Sequence, residues 1–419
     1  MNTIFEIADH QAQGIWKFWM PYDHIDSCEI FRGKLYEMSK QKILKEGEYT
    51  LTPKFLINLS SSPKKMVPIE WKILEPFVEH DETGNHYGFR LGHNQHSRDF
   101  YVSDVKFLDS WIEKLSSLCI KTDIEDDYEF IKLIGTGKFA QVFLAESNED
   151  FERYAVKAIK KDRLLKDSEL LNSLTNEIKI MRKCIHPNIV KLHRVYESNT
   201  HVYLVEDFVR GGCMFTRIIK KKRFTMETIV KLSHRLMGVL EYLDSLNIVH
   251  RDIKLENILM VSEHNDYEFK LADFGLAEEA TGDLFKKCGS PGYIAPEVIN
   301  GLPYGTKADL FSTGIVLYIL ISGKMPFFGK TAQDILVKNK ECKLNFEEQI
   351  WREVSMNCLA FVTKILNKDP CRRGYARDLL KHPFFNESRV VIDDVKKLHK
   401  SETKVAEERI IIHRKLSKL

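Results

Sequence analysis

The clearest catalytic chemistry in this chain is carried by residues 250–257, which read HRDIKLEN. The carboxylate of Asp252 can accept a proton from a hydroxyl, and the ammonium of Lys254 can neutralise phosphate charge. The side-chain oxygen of Asn257 can bind a divalent cation. The spacing therefore favours phosphoryl transfer, while a charged turn between two packed elements is the alternative that these residues alone leave open.

A glycine turn upstream is suited to holding phosphate. Residues 130–145, FIKLIGTGKFAQVFLA, predict a strand, a turn and a second strand. Gly135 and Gly137 permit backbone conformations that other residues avoid, and they let main-chain amides approach a phosphate. Ala140 stands where a third glycine would complete the pattern, and no helical pattern follows. We therefore predict a hairpin lid and not a strand-to-helix dinucleotide turn.

A lysine in an apolar strand is the next candidate. Lys157 lies within YAVKAI, where an unpaired charge in the interior would cost several kcal/mol. Its candidate partner is Glu177, on a helical stretch whose apolar face includes Ile178 and Met181. We expect an ion pair in which Lys157 holds the α and β phosphates of ATP.

Composition narrows the class of protein. The chain has 419 residues, 43% hydrophobic and 29% charged, which predicts two or three globular domains. Its 63 basic and 60 acidic residues nearly balance, so nucleic acid is excluded as the principal ligand. The eight cysteines lack metal or redox spacing, which indicates reduced thiols and a cytoplasmic protein.

Two further patterns bear on the membrane. The first ten residues lack the basic start and apolar core of a secretory signal. The longest apolar run, residues 315–321, is far shorter than the roughly 20 residues that span a bilayer, so it predicts a buried helix.

The first 120 residues predict a separate β-rich unit. Short apolar and aromatic stretches alternate with turn residues, including the DETGN turn at 81–85, and this is typical of antiparallel strands. Residues 104–119 then have helical spacing. The predicted apolar face of that helix comprises Phe107, Leu108, Trp111, Leu115 and Leu118.

The order and spacing of these motifs over residues 128–385 resemble a eukaryotic protein kinase domain. The resemblance implies an α+β, two-lobed fold, with a β-rich N-lobe around the helix that bears Glu177 and a mainly helical C-lobe. It implies that Asp273, in the run FKLADFGL, chelates Mg²⁺ together with Asn257. The implied catalytic residues are Asp252, Lys254, Asn257, Lys157 and Glu177.

The resemblance also implies an ATP site. Residues 202–215 match the strand, hinge and first helix between the lobes, with the backbone of the hinge binding adenine. The implied nucleotide contacts are Ile134, Gly135, Gly137, Val142, Ala155, Lys157, Asp207, Val209 and Leu259.

Two residues of the hinge depart from the family. Glu206 falls at the gatekeeper position behind the adenine pocket, where an apolar residue or Thr is usual. A carboxylate there needs a partner or a raised pKa, so we expect a polar back to the pocket. Cys213 replaces a Glu that contacts ribose and basic substrates in related kinases.

Several C-lobe motifs refine the resemblance. Lys254 and the run GSPGY before Ala295-Pro-Glu297 match serine/threonine kinases, and the C-lobe most resembles the calcium/calmodulin-dependent group. The resemblance implies a buried pair of Glu297 with Arg373. It also implies that Asp309 holds the catalytic loop through backbone hydrogen bonds.

The activation segment lacks the usual phosphorylated residue. Lys286 occupies that position, and Thr281 is the only hydroxyl between Gly275 and Cys288. An Arg directly before the catalytic Asp, here Arg251, often pairs with phosphate on the activation segment of related kinases. We hypothesise that activity needs no phosphorylation there, with Glu278, Glu279 or Asp283 as the nearby acid.

The N-terminal unit, residues 1–121, resembles a pleckstrin-homology domain, a small barrel of strands closed by one C-terminal helix with Trp111 at its characteristic tryptophan. Such domains often bind phosphoinositides, yet residues 20–27 carry two acids and no Lys or Arg. Lys64 and Lys65 are a weaker candidate site, and a protein-docking or autoinhibitory role fits equally well. Residues 122–127 are predicted as an acidic linker.

The tail, residues 386–419, is predicted as a charged helix that docks on the kinase or binds calmodulin. The leading hypothesis is a cytoplasmic serine/threonine kinase that uses ATP and Mg²⁺ on protein substrates. The alternatives are a catalytically weak pseudokinase or scaffold, and an adaptor that reaches the membrane periphery through the N-terminal unit.

Overall fold

The computed structural model describes residues 3–5, 29–39, 41, 43–62, 65–82, 84–93, 96–137, 139–221 and 223–386. It divides into two compact units. Unit 1 is Met1–Asn172 with Leu192–Phe208, and unit 2 is Ser173–Lys191 with Val209–Leu419, each within the described residues. The tail beyond residue 386 and residues 20–27, where related domains often bind phosphoinositides, lie outside the described residues.

Unit 1 is built on one sheet. Its strands are β1 (Phe31–Met38), β2 (Leu44–Leu51), β3 (Phe55–Asn58), β4 (Lys65–Pro68), β5 (Ile73–Asp81), β6 (Gly84–His93), β7 (His96–Val102), β8 (Ile120–Lys121), β9 (Tyr128–Thr136), β10 (Ala140–Ser147), β11 (Arg153–Lys160), β12 (Leu192–Glu197) and β13 (His201–Asp207). Within the described residues they follow the order β4-β3-β2-β1-β7-β6-β5-β8-β12-β13-β11-β10-β9.

The predicted N-terminal strands are confirmed. β5 and β6 form the expected hairpin, with Asp81 opposite Gly84 at its turn. The helix is also confirmed as α1 (Val105–Ser116), which begins where Asp104 accepts hydrogen bonds from the amides of Lys106 and Phe107. This side chain satisfies amides that have no partner inside the helix.

One face of α1 supplies the core of this region. Trp111 and Leu115 are fully buried, and Leu108 is 6% exposed. Gly33 on β1 makes room for the indole, since a Cβ there would lie 3.3 Å from Trp111. Phe107 was wrongly assigned to this face, because it is 46% exposed on the first turn of the helix.

The predicted closed barrel is wrong, because the sheet stays open. Among the described strands, β4 pairs only with β3, while β5 pairs in parallel with the short strand β8 at Ile73 and Ile120. Ile120 also lies opposite Val195 of β12, again in parallel. The N-terminal strands therefore continue through β8 into the strands of the kinase-like region.

The acidic segment after β8 is a short helix, α2 (Ile124–Asp127). Ile124 is fully buried, in a core cluster with Tyr128 and Tyr196. The Asp127 carboxylate accepts hydrogen bonds from Lys121 and the Tyr196 hydroxyl. Burial raises the pKa of Asp127, but these two partners outweigh it and leave the pKa below its usual range.

The first described residues also pack into unit 1. The Ile4 amide donates to Glu197 Oε1 across 2.7 Å, and the Phe5 ring stacks on Trp71 at 5.2 Å. Glu197 is paired at 2.6 Å with Lys161, the first residue of α3 (Lys161–Lys166). The hydrogen bond from Ile4 to Glu197 thus joins the first described residues to the end of β12.

Unit 2 is mainly helical. Helix α4 (Ser168–Lys183) has its first five residues in unit 1 and the rest in unit 2. The other helices are α5 (Met214–Lys221), α6 (Met226–Ser245), α7 (Pro296–Asn300), α8 (Lys307–Ser322), α9 (Ala332–Glu341), α10 (Gln349–Glu353), α11 (Met356–Ile365) and α12 (Ala376–Leu379). Short strand pairs are β14 (Ile248–Val249) with β17 (Glu278–Glu279), and β15 (Ile258–Met260) with β16 (Phe269–Leu271).

Helix α8 contains the long apolar run and is buried along residues 308–321, as predicted. No helix among the described residues is long and apolar enough to cross a membrane. The predicted pair of Glu297 with Arg373 is confirmed, with two bonds of 2.6 and 2.7 Å between fully or almost fully buried groups.

Candidate active site

Asp252 is the centre of a hydrogen-bonded cluster in unit 2. Its side chain lies after β14 and the residue is 6% exposed. Oδ2 accepts from Lys254 Nζ at 2.5 Å and from Asn257 Nδ2 at 3.2 Å, while Oδ1 accepts from Ser290 Oγ at 2.7 Å. These three hydrogen bonds fix the orientation of the carboxylate, because both of its oxygens accept from neighbouring donors.

Ser290 is the functional residue that sequence reasoning missed. The residue is 5% exposed. Its hydroxyl donates to Asp252 and accepts from Lys254 Nζ at 2.8 Å. Its place in the run GSPGY was the only signal in the sequence. That run indicated a serine or threonine acceptor, but it did not predict a contact between Ser290 and Asp252. Ser290 therefore ties the activation segment to Asp252 and Lys254 of the catalytic loop.

Asn257 is held by the loop itself. It ends a single 3₁₀ turn, Leu255–Asn257, and Nδ2 donates to the Asp252 carbonyl at 2.9 Å as well as to the carboxylate. Both bonds use the amide nitrogen, which fixes the orientation of the carboxamide. The carboxamide oxygen is thus left as a hard ligand of the kind that Mg²⁺ prefers.

A strand pair brings Asp273 next to Asn257. Ile258 of β15 lies opposite Leu271 of β16, and the Ala272 amide donates to the Asn257 carbonyl at 2.9 Å. Asp273 has φ 66°, a left-handed conformation that is strained for a residue with a side chain. A carboxylate and a carboxamide oxygen at neighbouring ends of two paired strands fit a Mg²⁺ site completed by phosphate and water.

Glu177 lies close to this strand end within unit 2. It is 4% exposed on α4, and a Cβ at Gly275 would lie 3.5 Å from its carboxylate and 3.3 Å from Asp273 Oδ1. Ser173, one turn earlier on α4, donates to the Gly275 carbonyl at 2.7 Å. The strand end that carries Asp273 therefore packs against α4 within unit 2.

The support from Asp309 is confirmed. Its carboxylate accepts from the amides of His250 at 2.6 Å and Arg251 at 2.9 Å, and the residue is 2% exposed at the start of α8. Burial raises the pKa of Asp309, while the His250 ring and these two amides oppose the shift. Asp309 thereby fixes the backbone of the catalytic loop at His250 and Arg251.

Most of the predicted nucleotide residues of unit 1 lie on or beside three neighbouring strands, β9, β10 and β11. Gly135 on β9 is opposite Val142 on β10, and the Gly137 amide donates to the Ala140 carbonyl at 2.8 Å, so the predicted hairpin is confirmed. Neither glycine has a left-handed φ, contrary to expectation. A Cβ at either would make only ordinary contacts at 3.6 Å, so close approach of phosphate stays a prediction for these glycines.

Lys157 lies in the middle of β11, between Val142 of β10 and Leu204 of β13. Ala155, two residues earlier, is opposite Glu206. Lys157 belongs to unit 1 and Glu177 to unit 2, so their ion pair stays a prediction. The exposed Ile134 and the polar pocket expected behind Glu206 also stay predictions as nucleotide contacts.

The hinge residues divide between the units. Asp207 ends β13 in unit 1, where its Oδ1 lies 2.7 Å from His193 Nε2. Val209 and Leu259 belong to unit 2, in which Leu259 forms an isolated bridge with Cys213. The bridge anchors the residue that departs from the family, and the predicted adenine contacts remain untested.

Comparison with known proteins agrees with this geometry. The family model for the protein kinase domain matches residues 128–385. Myosin light chain kinase A of Dictyostelium discoideum is 37% identical over 279 residues, which covers 66% of this chain and 94% of that protein. Calcium/calmodulin-dependent protein kinase type 1 of Caenorhabditis elegans is 36% identical over 274 residues, 65% of this chain and 78% of that protein.

A protein of the same type from Macrobrachium nipponense is 37% identical over 265 residues, covering 63% of this chain and 76% of that protein. The matched region contains the catalytic loop, Asp273 and the strands that carry Lys157. Family match and loop geometry thus agree on the two-lobed kinase fold, and the chain belongs to the protein kinase domain family.

Proposed function

We propose that this protein is a serine/threonine kinase that transfers the γ-phosphoryl group of ATP to a protein hydroxyl, with Mg²⁺. The observation that carries the proposal is the Asp252 carboxylate, which accepts from Lys254, Asn257 and Ser290 at 2.5 to 3.2 Å. The family of the chain supports ATP as the phosphoryl donor.

Asp252 acts as the proton acceptor. A substrate hydroxyl can donate to Oδ1 beside Ser290, because a carboxylate oxygen accepts more than one hydrogen bond. Asn257 fixes the carboxylate through its amide, so little reorientation is needed when the proton moves. The proton of the attacking hydroxyl passes to Asp252 as its oxygen bonds to the γ-phosphorus, while the bond from that phosphorus to the β–γ bridging oxygen breaks and ADP leaves.

Lys254 and the metal ligands act on phosphate charge. Lys254 Nζ lies within 2.5 Å of Asp252 and 2.8 Å of Ser290, so its charge is held beside the acceptor hydroxyl. Asn257 and Asp273 would hold the cation, which when bound neutralises charge on the phosphates. Lys157, paired with Glu177, would orient the α and β phosphates.

The acceptor class rests on Lys254 and Ser290 together. An ammonium two residues after the catalytic carboxylate is typical of serine/threonine kinases, and here it is tied to the activation segment. The printed names of the relatives, a myosin light chain kinase and calcium/calmodulin-dependent kinases, support the same class. Those names also support calmodulin as a regulator at residues 386–419, which calcium-dependent binding of calmodulin to the full chain would test.

The decisive experiment measures phosphate transfer from ATP to a degenerate peptide library. Wild type is compared with Asp252→Asn and Lys157→Met, both expected to lose at least about 10²-fold in kcat because general-base and phosphate-positioning contributions are of that size. Asp109→Asn and Lys106→Met, exposed on α1, are matched controls expected to keep full activity.

Equal signal from wild type and Asp252→Asn would refute the enzyme and favour the pseudokinase or scaffold. Sedimentation of the full chain with phosphoinositide vesicles, but not with phosphatidylcholine vesicles, would instead favour the membrane adaptor. Retention in the soluble fraction of fractionated cells would support the proposed cytoplasmic location.

A further inference from the structure

A groove of about 490 Å³ lies in unit 2 between the activation segment and helix α9. Its apolar lining comprises Pro291, Ile294, Val298, Ile299, Leu336 and Val337. Val337 is 46% exposed, which is unusual for an apolar side chain beside other apolar groups. The groove can therefore bury one or two apolar side chains of a ligand.

The two walls of the groove are fixed to each other. Asn339, fully buried on α9, donates from Nδ2 to the Ile294 carbonyl at 2.8 Å. Thr331 and Asp334 cap the start of α9 through reciprocal hydrogen bonds of 3.1 and 3.0 Å. The groove is thus formed before any ligand arrives, which reduces the entropy cost of binding.

The charged side chains that line the groove are all positive. Lys287 and Lys340 both line it and are exposed, and its lining residues include no Asp or Glu. Neither ammonium has a carboxylate partner among the described residues. By contrast, Lys338 on the same helix donates to the Phe328 carbonyl at 2.5 Å and does not line the groove.

The groove is continuous with the catalytic loop. Gly289 and Pro291 line it, and Ser290 between them donates to Asp252. A peptide whose hydroxyl lies at Asp252 would therefore reach the groove within a few residues, since extended chain spans about 3.3 Å per residue. The same polypeptide can occupy both places.

We propose that this groove binds a segment of the protein substrate that combines an apolar side chain with one or more carboxylates near the acceptor hydroxyl. The apolar lining of the groove buries the apolar side chain. Lys287 and Lys340 attract the carboxylates and repel basic segments. This inference rests on the proposed kinase activity and names its substrate class. Replacement of a family Glu by Cys213 removes one carboxylate that would favour basic substrates, which agrees with this preference.

The test uses the full-length protein and two serine peptides that differ only in having Leu-Asp-Glu or Leu-Asn-Gln beside the acceptor. Peptide binding is measured by fluorescence anisotropy without ATP, and transfer is measured in parallel. We expect the acidic peptide to bind about 5-fold more tightly, the size of one or two exposed ion pairs. Lys340→Glu is expected to abolish or reverse the preference for the acidic peptide.

Lys343→Glu is the matched control, because this lysine follows the same helix, is 85% exposed in its side chain and does not line the groove. Equal affinity of wild type for both peptides, or the same preference in Lys340→Glu, would overturn the proposal. Equal affinity for the two peptides together with tighter binding of both in Asp393→Asn/Asp394→Asn would overturn it in favour of the tail as the occupant of the groove. Charge-dependent binding without any transfer would refute the proposed function and leave the ligand preference of the groove standing.

Discussion

Arg251 Nη2 donates to the Glu278 carboxylate across 3.0 Å, with the Arg251 side chain 7% exposed and the Glu278 side chain 40% exposed. The same guanidinium donates to the Leu276 carbonyl at 2.5 Å and to the Tyr304 hydroxyl at 3.4 Å. Glu278 thus supplies, from the activation segment itself, the negative charge that phosphate supplies elsewhere. Of the three candidate acids, Glu278 is the one that contacts Arg251, while Glu279 pairs with Lys183 at 2.5 Å.

The first prediction concerns this pair. Phosphatase-treated protein should retain its turnover, whereas Glu278→Ala should lower kcat about tenfold, because a hydrogen bond to a charged group contributes about 1.5 to 3 kcal/mol. Asp283→Ala, exposed in the same segment, is the control and should change little. Loss of nearly all turnover after phosphatase treatment would contradict the hypothesis.

The second prediction concerns Ser290. Ser290→Ala removes one donor from Asp252 and one acceptor from Lys254, so kcat should fall roughly tenfold for the same reason. Ser290→Thr keeps the hydroxyl and should restore most of the rate. Steady-state kinetics on one serine peptide would measure both, and equal rates in the Ala and Thr variants would show that the hydroxyl has no role.

The third prediction concerns the buried pair of Glu297 and Arg373. Arg373→Leu leaves a buried carboxylate without its partner and should lower the free energy of unfolding by about 3 to 5 kcal/mol. Arg372→Leu is the control, since the neighbouring side chain is 75% exposed and its ion pair with Asp369 is 3.6 Å long. Urea unfolding should separate the two, and similar midpoints would contradict the structural role.

The fourth prediction is a pH dependence. Burial raises the pKa of Asp127, but the hydrogen bonds from Lys121 and Tyr196 lower it by more. The pKa in the folded state therefore lies below the pKa in the unfolded state. The carboxylate therefore stabilises the fold above the unfolded pKa, about 4, and this contribution is lost as the pH falls through the folded pKa.

Asp127→Asn should accordingly be less stable than wild type at pH 7, with a difference in urea midpoint that shrinks below about pH 4. Asp126→Asn, an exposed neighbour, should match wild type at both pH values. A wild-type advantage that stays constant down to pH 3 would argue against the assigned partners.

Local patterns in the sequence were enough to identify the catalytic loop, and the family resemblance added its support from Asp309. The spacing of Asp252, Lys254 and Asn257 places them on one loop and one 3₁₀ turn, where neighbours in sequence are neighbours in space. The alternation of apolar residues likewise identified the glycine hairpin and the N-terminal strands, because side chains on a strand alternate between its two faces. Sequence therefore determined the chemistry and most of the elements.

The tertiary structure decided the contacts between elements. Ser290 reaches Asp252 only because the activation segment folds back on the catalytic loop, and no periodicity encodes that approach. The strand β8 has two residues, too few to show any alternation, yet it joins the N-terminal strands to β12 and keeps the sheet open. Phe107 had the spacing of a core residue and is exposed, because the packing of α1 on the sheet selects which part of its apolar stripe is buried.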